Sequence, residues 1–194
     1  MIKFFKSELF EWADALIRYI PGKIGGASRR SWYKNRFQDC NEISIGMGCN
    51  FISPQTMAFN GSVSIGERSL FAADGGGSIF VGGKTTFNSN VHINASVGGM
   101  IQIGETCLVG PNVVIRTAGH RFDDPSVPIR QQGHIIKNIT IGDDVWIGSN
   151  AVVLGGVQIG SGSVIGAGAV VVSDIPSMAV AVGVPAKVIK FREP

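Results

Sequence analysis

The feature that most constrains this 194-residue chain is a six-residue repeat. An aliphatic residue followed by glycine recurs from about residue 42 onward, and its clearest copies are six, twelve and six residues apart. These copies are Ile141-Gly142, Ile147-Gly148, Ile159-Gly160 and Ile165-Gly166. A hexapeptide period is typical of a parallel β-helix, in which each unit supplies a short strand and a turn, and three units close a coil of about eighteen residues. The period predicts an all-β solenoid over residues 42–190.

The repeat has a simple physical basis. The aliphatic side chain points inward and stacks on its counterpart one coil away, because a coil cannot bury its inner face alone. The glycine is expected either because the turn needs dihedral angles that a Cβ opposes, or because the next coil approaches too closely for one. The 27 glycines follow no G-x-y period, which excludes collagen. The early repeats are less regular, and residues 73–78 are expected to form a turn excursion between coils.

Residues 1–41 form a different, basic segment. An apolar stripe at helical spacing predicts an amphipathic helix over residues 2–20 that ends at Pro21-Gly22, with Asp14 and Arg18 on the opposite, polar face. The stripe comprises Phe5, Leu9, Trp12, Leu16 and Ile20. Residues 1–40 carry eight Lys or Arg and four Asp or Glu, a net charge of +4, whereas the rest of the chain carries nine and ten, a net charge of −1.

The repeat is interrupted once in its second half. Between Ile115 and Ile139 no hexapeptide fits, and the intervening stretch is polar and rich in proline. This predicts an excursion loop near 116–138, and long loops of this kind in compact domains usually have a functional role. His120 stands near the start of the loop, and a C-terminal tail is predicted over 174–194.

Composition excludes several classes of function. The repeat region carries no platform of aromatic and basic residues, so nucleic-acid binding is not expected. Cys40, Cys49 and Cys107 match no metal motif in their spacing and are interpreted as free thiols in a reducing compartment. No apolar run approaches the ~18–20 residues of a membrane span, and the charged N-terminus does not fit a signal peptide. We therefore expect a cytoplasmic protein.

Motifs in the second half of the chain resemble those of the hexapeptide-repeat acetyltransferases. They are Thr117-Ala-Gly-His120, Ile139-Thr-Ile-Gly-Asp-Asp-Val-Trp146-Ile-Gly-Ser149, Val164-Ile-Gly-Ala-Gly168, Asp174-Ile-Pro176 and Gly183-Val-Pro-Ala-Lys-Val-Ile189. They occur in the family's order and spacing over about 87–190, and they are similar to the galactoside, maltose and nodulation-factor O-acetyltransferases. The stretch 19–25 and the basic run after it resemble instead the polysaccharide O-acetyltransferases of surface-glycan pathways.

The resemblance implies a left-handed parallel β-helix and a homotrimer whose active sites are shared between neighbouring subunits. It also implies transfer of an acetyl group from acetyl-CoA to a hydroxyl of a sugar, without a metal. The implied acceptor is a surface-polysaccharide precursor of O-antigen, capsule or exopolysaccharide. A sugar hydroxyl is almost wholly protonated at neutral pH, so the reaction needs a general base, and the oxyanion that forms needs a preorganised donor.

Three residues match the family's catalytic positions. His120 is the candidate general base, because an unperturbed imidazole is mostly neutral at pH 7. Asn90, thirty residues earlier, is the candidate donor to the substrate or the oxyanion, and its alternative role is to satisfy a turn. Trp146 is bulky for a hexapeptide position, which suggests that it faces outward along a substrate groove, and its alternative role is packing against the excursion loop.

The remaining site predictions concern the two substrates. The positions that the resemblance assigns to acetyl-CoA are Ser149, Ala167, Gly168, Ser173, Lys187 and Lys190. The first three match contacts to the pantetheine arm and the lysines match basic positions near the phosphates, whereas Ser173 departs from the lysine that the family often has. For the acceptor, His92 is a candidate because strand alternation places it on the same face as Asn90. Asp123 is the other candidate, and it or Asp124 is also able to orient His120.

Two other classes of function remain open. A metal-dependent lyase similar to β-helix carbonic anhydrases uses three histidines as zinc ligands, and this chain has three, although no two are closely spaced. A non-catalytic scaffold is the second, and an intact His120 and Trp146 argue against it. The N-terminal segment also has two interpretations. Its apolar stripe docks on the trimer, or the segment lies peripherally on the inner membrane surface with its basic residues facing anionic lipids.

Overall fold

The computed structural model describes residues 2–193, with side chains from residue 8 onward. Within this range the chain opens with two helices, α1 (Ile2–Tyr19) and α2 (Gly22–Lys34), and continues with twenty short strands. The strands are β1 (Asp39–Ile45), β2 (Asn50–Ile52), β3 (Met57–Ile65), β4 (Leu70–Ala72), β5 (Ser78–Val81), β6 (Thr86–Phe87), β7 (His92–Asn94), β8 (Met100–Ile103), β9 (Leu108–Val109), β10 (Val114–Arg116), β11 (Ala118–His120), β12 (His134–Ile136), β13 (Ile139–Ile141), β14 (Trp146–Ile147), β15 (Val152–Leu154), β16 (Gln158–Ile159), β17 (Val164–Ile165), β18 (Val170–Val171), β19 (Ala179–Val182) and β20 (Lys187–Phe191). Single turns of 3-10 helix lie at Pro54–Thr56 and Ile129–Gln131.

The strands form the three faces of a left-handed parallel β-helix of about six coils, which confirms the predicted fold class. The first face contains β5, β8, β13 and β16, the second contains the end of β1 with β6, β9, β14, β17 and β19, and the third contains β2, β4, β7, β10, β15 and β18. The long strand β3 serves two faces. Its first residues pair with β5 on the first face, and its last residues pair with β6 on the second.

The glycines of the repeat are required by the close approach of successive coils. A Cβ built on Gly66 would lie 2.5 Å from the backbone carbon of Asn88, and one on Gly82 would lie 2.6 Å from that of Gly104. The left-handed backbone conformation falls two residues later in the turn, for example at Arg68 with φ of 57°. Of the two expected reasons for glycine, close approach is therefore the one that applies at these positions.

Aliphatic and aromatic side chains fill the interior in columns. On the second face one column consists of Ile65, Phe87, Val109, Ile147 and Ile165, which are paired from coil to coil and at most 3% exposed. Full burial of such a side chain contributes about 1.5–3 kcal/mol. Stacking therefore supplies the stability that a single coil lacks.

The two helices cover the N-terminal end of the solenoid and are joined through a buried carboxylate. Asp14 Oδ1 accepts hydrogen bonds from Trp32 Nε1 at 2.8 Å and from Tyr33 Oη at 2.7 Å. Oδ2 of Asp14 forms an ion pair with Arg18, and Nη1 of Arg36 lies 3.3 Å from Oδ1. Burial raises the pKa of Asp14, but the hydrogen bonds to its carboxylate outweigh burial and lower the pKa overall.

This arrangement confirms the helix but corrects its predicted orientation. Asp14, assigned to the polar face, is only 6% exposed, whereas Leu9, Trp12 and Leu16 of the apolar stripe are 68–69% exposed. The side chain of Phe5, also assigned to the stripe, lies outside the described residues. In the single chain the Asp14 side of α1 packs on α2, and the stripe is left uncovered. No helix within residues 2–193 is long and apolar enough to cross a bilayer.

The predicted excursion loop leaves the solenoid after β10 and returns at β13. It contains regular structure, because β11 and β12 form an antiparallel ribbon in which His120 pairs with His134. The coils on either side keep their register, with Ile101 opposite Ile139 in β8 and β13. The loop is therefore an insertion at one corner that leaves the stacking of the coils unchanged.

Candidate active site

His120 ends the first strand of the ribbon, which projects from the corner between the third and first faces. Its side chain is exposed. Its ring centroid lies 4.5 Å from that of His134, and the two ring planes are inclined by 38°. The imidazole therefore lies open to the outside, on a ribbon that projects from the solenoid.

The two aspartates of the loop have different environments. Asp124 Oδ1 accepts hydrogen bonds from the hydroxyl of Ser126 at 2.6 Å and from its backbone N–H at 2.9 Å, and these bonds lower the pKa of Asp124. Gln132 Nε2 donates to the Asp124 carbonyl at 2.8 Å. Asp124 therefore fixes the turn of the loop. Asp123 is exposed beside it and remains the predicted acceptor contact.

Asn90 lies in the corner between the second and third faces. We call this edge, which comprises the turns 66–69, 88–91, 110–113, 148–151 and 166–169, the asparagine corner. Asn90 has a left-handed backbone with φ of 61°, so it does occupy a turn. Its exposed side chain donates from Nδ2 to Oδ1 of Asn112 at 2.8 Å, and Nδ2 of Asn112 donates to Oδ1 of Asn150 at 3.1 Å.

Three positions predicted for acetyl-CoA lie in the same asparagine corner. Ser149 immediately precedes Asn150, and Ala167 and Gly168 form the turn of the next coil. The backbone N–H of Gly168 donates to the carbonyl of Ser149 at 2.8 Å. A Cβ built on Gly168 would meet nothing within 4 Å, so the corner is open to the outside at this level.

Trp146 lies on the second face, just before the asparagine corner. It is in register with Leu108 and Val164 on the outer surface, and its indole is 54% exposed. The indole faces outward, as its size suggests for a position in a hexapeptide.

His92 lies exposed on the outer surface of the third face, in register with Leu70 and Val114. His92 does not share a strand face with Asn90, and the prediction from alternation is wrong. Asn90 lies in a turn with positive φ, and the strand begins only at His92, so strand alternation does not apply between them.

The positions predicted near the CoA phosphates lie in two places. Lys187 and Lys190 are exposed on β20, which pairs antiparallel with β19 at the C-terminal edge of the second face. Ser173 follows β18, at the far end of the third face from Gly168. One chain therefore does not bring Ser173 together with Ala167 and Gly168.

Within one chain the predicted residues form two groups on either side of the third face. The group at the asparagine corner comprises Asn90, Ser149, Ala167 and Gly168, with Trp146 just before it. His120 and Ser173 follow the opposite ends of the strands of this face. A strand of three residues spans roughly 10 Å. The two groups are therefore separated within the chain.

Within the residues that the structure describes, no group of three or more His, Cys, Asp and Glu side chains is arranged to hold a metal ion. Two of the histidines, His120 and His134, lie on the ribbon, and His92 lies on the solenoid. Burial raises the pKa of each of the three free thiols, which belong to Cys40, Cys49 and Cys107.

Asn112 and Asn150 were not predicted from the sequence as neighbours of Asn90. The signal was present, because each of the three asparagines immediately precedes a buried Val or Ala at the same position of its repeat. His134 was missed as the partner of His120, and no local pattern indicates it, since the pairing depends on the register of the ribbon.

Comparison with known proteins gives consistent similarities. Residues 138–173 match the family model of the bacterial transferase hexapeptide (six repeats). A probable acetyltransferase of Mycobacterium tuberculosis is 33% identical over 98% of this chain and 65% of its own length. A putative lipopolysaccharide biosynthesis O-acetyl transferase of Escherichia coli K12 is 35% identical over 77% of this chain and 73% of its own length.

A solved structure extends the similarity to three dimensions. A hexapeptide-repeat acetyltransferase of Vibrio cholerae, in complex with acetyl-coenzyme A, is 27% identical with a TM-score of 0.68, covering 93% of this chain and 84% of that one. The chain spans slightly less than two thirds of the Mycobacterium relative, 65% of its length.

Proposed function

The chain belongs to the hexapeptide-repeat acetyltransferase family, and we propose that it transfers an acetyl group from acetyl-CoA to a hydroxyl of a sugar. The acyl donor is supported by the acetyl-coenzyme A in the similar Vibrio cholerae structure. The proposed acceptor is a precursor of a surface polysaccharide. It is supported by the similar Escherichia coli protein, which is named as a lipopolysaccharide biosynthesis O-acetyl transferase.

In the proposed mechanism His120 accepts the proton of the sugar hydroxyl while the hydroxyl oxygen bonds to the acetyl carbonyl carbon. The carbon–sulfur bond then breaks, and the same proton passes from His120 to the departing sulfur, so that the products are an acetyl ester and coenzyme A. A general base contributes ~10²–10⁴-fold in rate. Asn90 Nδ2 donates one of its two hydrogens to Asn112 Oδ1, and the second is free to donate to the oxyanion. One such donor contributes ~10²–10³-fold in rate.

We propose that the enzyme is a homotrimer with each active site between two chains. The support is the separation of the two groups at opposite ends of the third face. In a cyclic trimer, one surface of each chain contacts a different surface of the next. Such contact brings the His120 ribbon of one chain to the asparagine corner of its neighbour. Acetyl-CoA would lie along this corner, with its arm at Ala167 and the open space at Gly168, and Lys187 and Lys190 would face its phosphates.

One observation carries the proposed function: an exposed imidazole lies on the ribbon that leaves an otherwise continuous solenoid at one corner. The test measures release of the coenzyme A thiol over a panel of sugars and glycan fragments, with mass spectrometry of the acetylated product. We expect His120→Ala to lower turnover by at least ~10²-fold. Arg130→Ala, an exposed substitution in the same loop, is the matched control and should retain turnover. Equal turnover of the wild type and His120→Ala would refute the proposal.

We also propose a cytoplasmic enzyme whose α1 lies peripherally on the inner membrane surface. The support is the apolar stripe, in which Leu9, Trp12 and Leu16 are 68–69% exposed, together with the net charge of +4 over residues 1–40. The test is co-sedimentation with phosphatidylglycerol or phosphatidylcholine vesicles. We expect the wild type to bind the anionic phosphatidylglycerol vesicles and not the phosphatidylcholine vesicles, and we expect Trp12→Glu to lose this binding. If the wild type stays in the supernatant with both, the membrane contact is refuted and docking of the stripe on a neighbouring subunit takes its place.

A further inference from the structure

The asparagine corner carries a ladder of side-chain amides from three successive coils. We call Asn90, Asn112 and Asn150 the asparagine ladder. Their φ angles are 61°, 59° and 60°, so all three adopt the same left-handed turn. The bonds of 2.8 and 3.1 Å between their side chains link each coil to the next. An exposed amide that is otherwise free to rotate is thereby held in one orientation.

The ladder has a direction. Each bond runs from the amide nitrogen of one coil to the amide oxygen of the next, so Asn90 at the first end retains its Oδ1 and one Nδ2 hydrogen for a ligand. The preceding coil has Arg68 at this turn position, with φ of 57°, and the coil after Asn150 has Gly168, with φ of 70°. The ladder therefore extends from the predicted oxyanion donor to the level where the corner is open.

The backbone supports the same arrangement. The N–H of Asn90 donates to the carbonyl of Glu67 at 2.7 Å, and that of Asn150 donates to the carbonyl of Pro111 at 2.9 Å. Asparagine is also one of the few residues besides glycine that adopt the left-handed conformation readily. Glycine would satisfy the turn equally well, so the turn alone does not explain three consecutive amides in this column.

We propose that Asn112 and Asn150 are positioning residues, which hold the Asn90 carboxamide in the orientation that meets the acetyl group. The inference rests on the proposed function, because it takes Asn90 as the donor to the oxyanion. A donor stabilises a developing charge best when it is already oriented and needs no reorganisation during the reaction. The ladder supplies this orientation at an edge where the packing within one chain does not.

Substitutions at Asn112 separate the amide from the turn. Asn112→Gly keeps the left-handed turn but removes the oxygen that accepts from Asn90, whereas Asn112→Asp keeps an acceptor oxygen. Lys84→Gly is the matched control, because Lys84 has φ of 59° at another corner of the coil that holds Asn90. We expect Asn112→Gly to lower kcat by about three- to tenfold, the effect of one hydrogen bond, with KM for acetyl-CoA unchanged. Asn112→Asp and Lys84→Gly should retain most of the wild-type kcat.

A double-mutant cycle tests whether the ladder acts through Asn90. In an Asn90→Gly background, Asn112→Gly should cause no further loss of kcat, because the amide that the ladder holds is gone. Equal fractional losses in both backgrounds would overturn the proposal. If Asn112→Gly turns over as fast as the wild type, the proposal is overturned and the proposed function stands. If the wild type turns over no acceptor, the proposed function itself is overturned.

A second readout does not depend on turnover. In spectra of ¹⁵N-labelled protein, the side-chain amide signal of Asn90 should shift in Asn112→Gly and stay in place in Lys84→Gly. An unchanged signal in Asn112→Gly would show that the ladder does not hold the Asn90 amide, and it would overturn the proposal.

Discussion

Mixed trimers provide a direct test of a site shared between chains. The perturbation combines two chains that are each defective, one carrying His120→Ala and the other Asn90→Gly. We expect each homotrimer to lose at least ~10²-fold in turnover, the first through its general base and the second through its oxyanion donor. Both side chains are exposed, and glycine keeps the left-handed turn of Asn90, so the fold should be retained.

The expected recovery follows from the arrangement of the chain. His120 and Asn90 lie at opposite ends of the third face, and in the proposed cyclic trimer each site takes one residue from each of two neighbours. In a random one-to-one mixture, about half of the chains carry an intact His120 and about half an intact Asn90. Both are intact at about a quarter of the sites. The mixture should therefore reach about a quarter of wild-type turnover, roughly 25-fold above either homotrimer.

The assay is thiol release at saturating acetyl-CoA, on trimers of two equally co-expressed chains purified through one affinity tag that both chains carry, so that the random distribution of chains is kept. The control mixes the wild type with a chain that carries both His120→Ala and Asn90→Gly. A shared site retains about a quarter of wild-type turnover in this control, whereas a site within one chain retains about half. If the first mixture stays at background and the control retains half, the reasoning from the two ends of the third face is refuted.

The other predictions concern stability and acetyl-CoA binding. Gly77→Ala should destabilise the fold by roughly 1–3 kcal/mol in urea unfolding, because its Cβ would lie 1.8 Å from a backbone oxygen of the next coil, whereas Gly119→Ala, with nothing within 4 Å, should be tolerated. Because the pKa of Asp14 is lowered in the folded state, the stability that its carboxylate contributes is present above about pH 4 and lost on further acidification. At neutral pH the melting temperature of Asp14→Asn should therefore be lower than that of the wild type. Between pH 5 and pH 3 it should fall less than that of the wild type, as scanning calorimetry would show. Trp146→Ala should leave the melting temperature nearly unchanged, since the indole is 54% exposed, and should raise KM for acetyl-CoA in the thiol-release assay.

The inward positions of the solenoid could be predicted from the sequence because they repeat locally. Ile141, Ile147, Ile159 and Ile165 follow one six-residue register, and each is at most 2% exposed. The contacts on the outer corners lack this property. Asn112 and Asn150 are 38 residues apart along the chain, since the excursion loop lies between them. Their contact becomes visible only when the repeats are aligned across the loop.

The orientation of α1 could not be predicted from periodicity. An apolar stripe at helical spacing indicates the side of a helix that is usually buried. In this chain Asp14, on the other side, accepts hydrogen bonds from donors on α2 that are 18 and 19 residues away, and α1 therefore packs through the side that carries Asp14 and Phe10. The pairing of His120 with His134 was also beyond sequence analysis, because the register of the ribbon is set inside a loop that has no period.

The base of the excursion loop explains how the proposed catalytic imidazole can lie on an insertion whose ends are fixed to the solenoid. The backbone N–H of Lys137 donates to the carbonyl of Thr117 at 3.1 Å, which closes the loop where it leaves the solenoid. The carbonyl groups of Thr117 and Lys137 both lie over Gly155 of the next coil. A Cβ built on Gly155 would be 2.3 Å from the Thr117 oxygen and 3.0 Å from the Lys137 oxygen. The closed base holds the two ends of the loop together. The entropic cost of closing a loop grows slowly with its length, by only ~0.6 kcal/mol for each doubling, so a long insertion is tolerated at this corner. The stacked coils supply the stability, and the corner presents His120 from a base that the next coil supports.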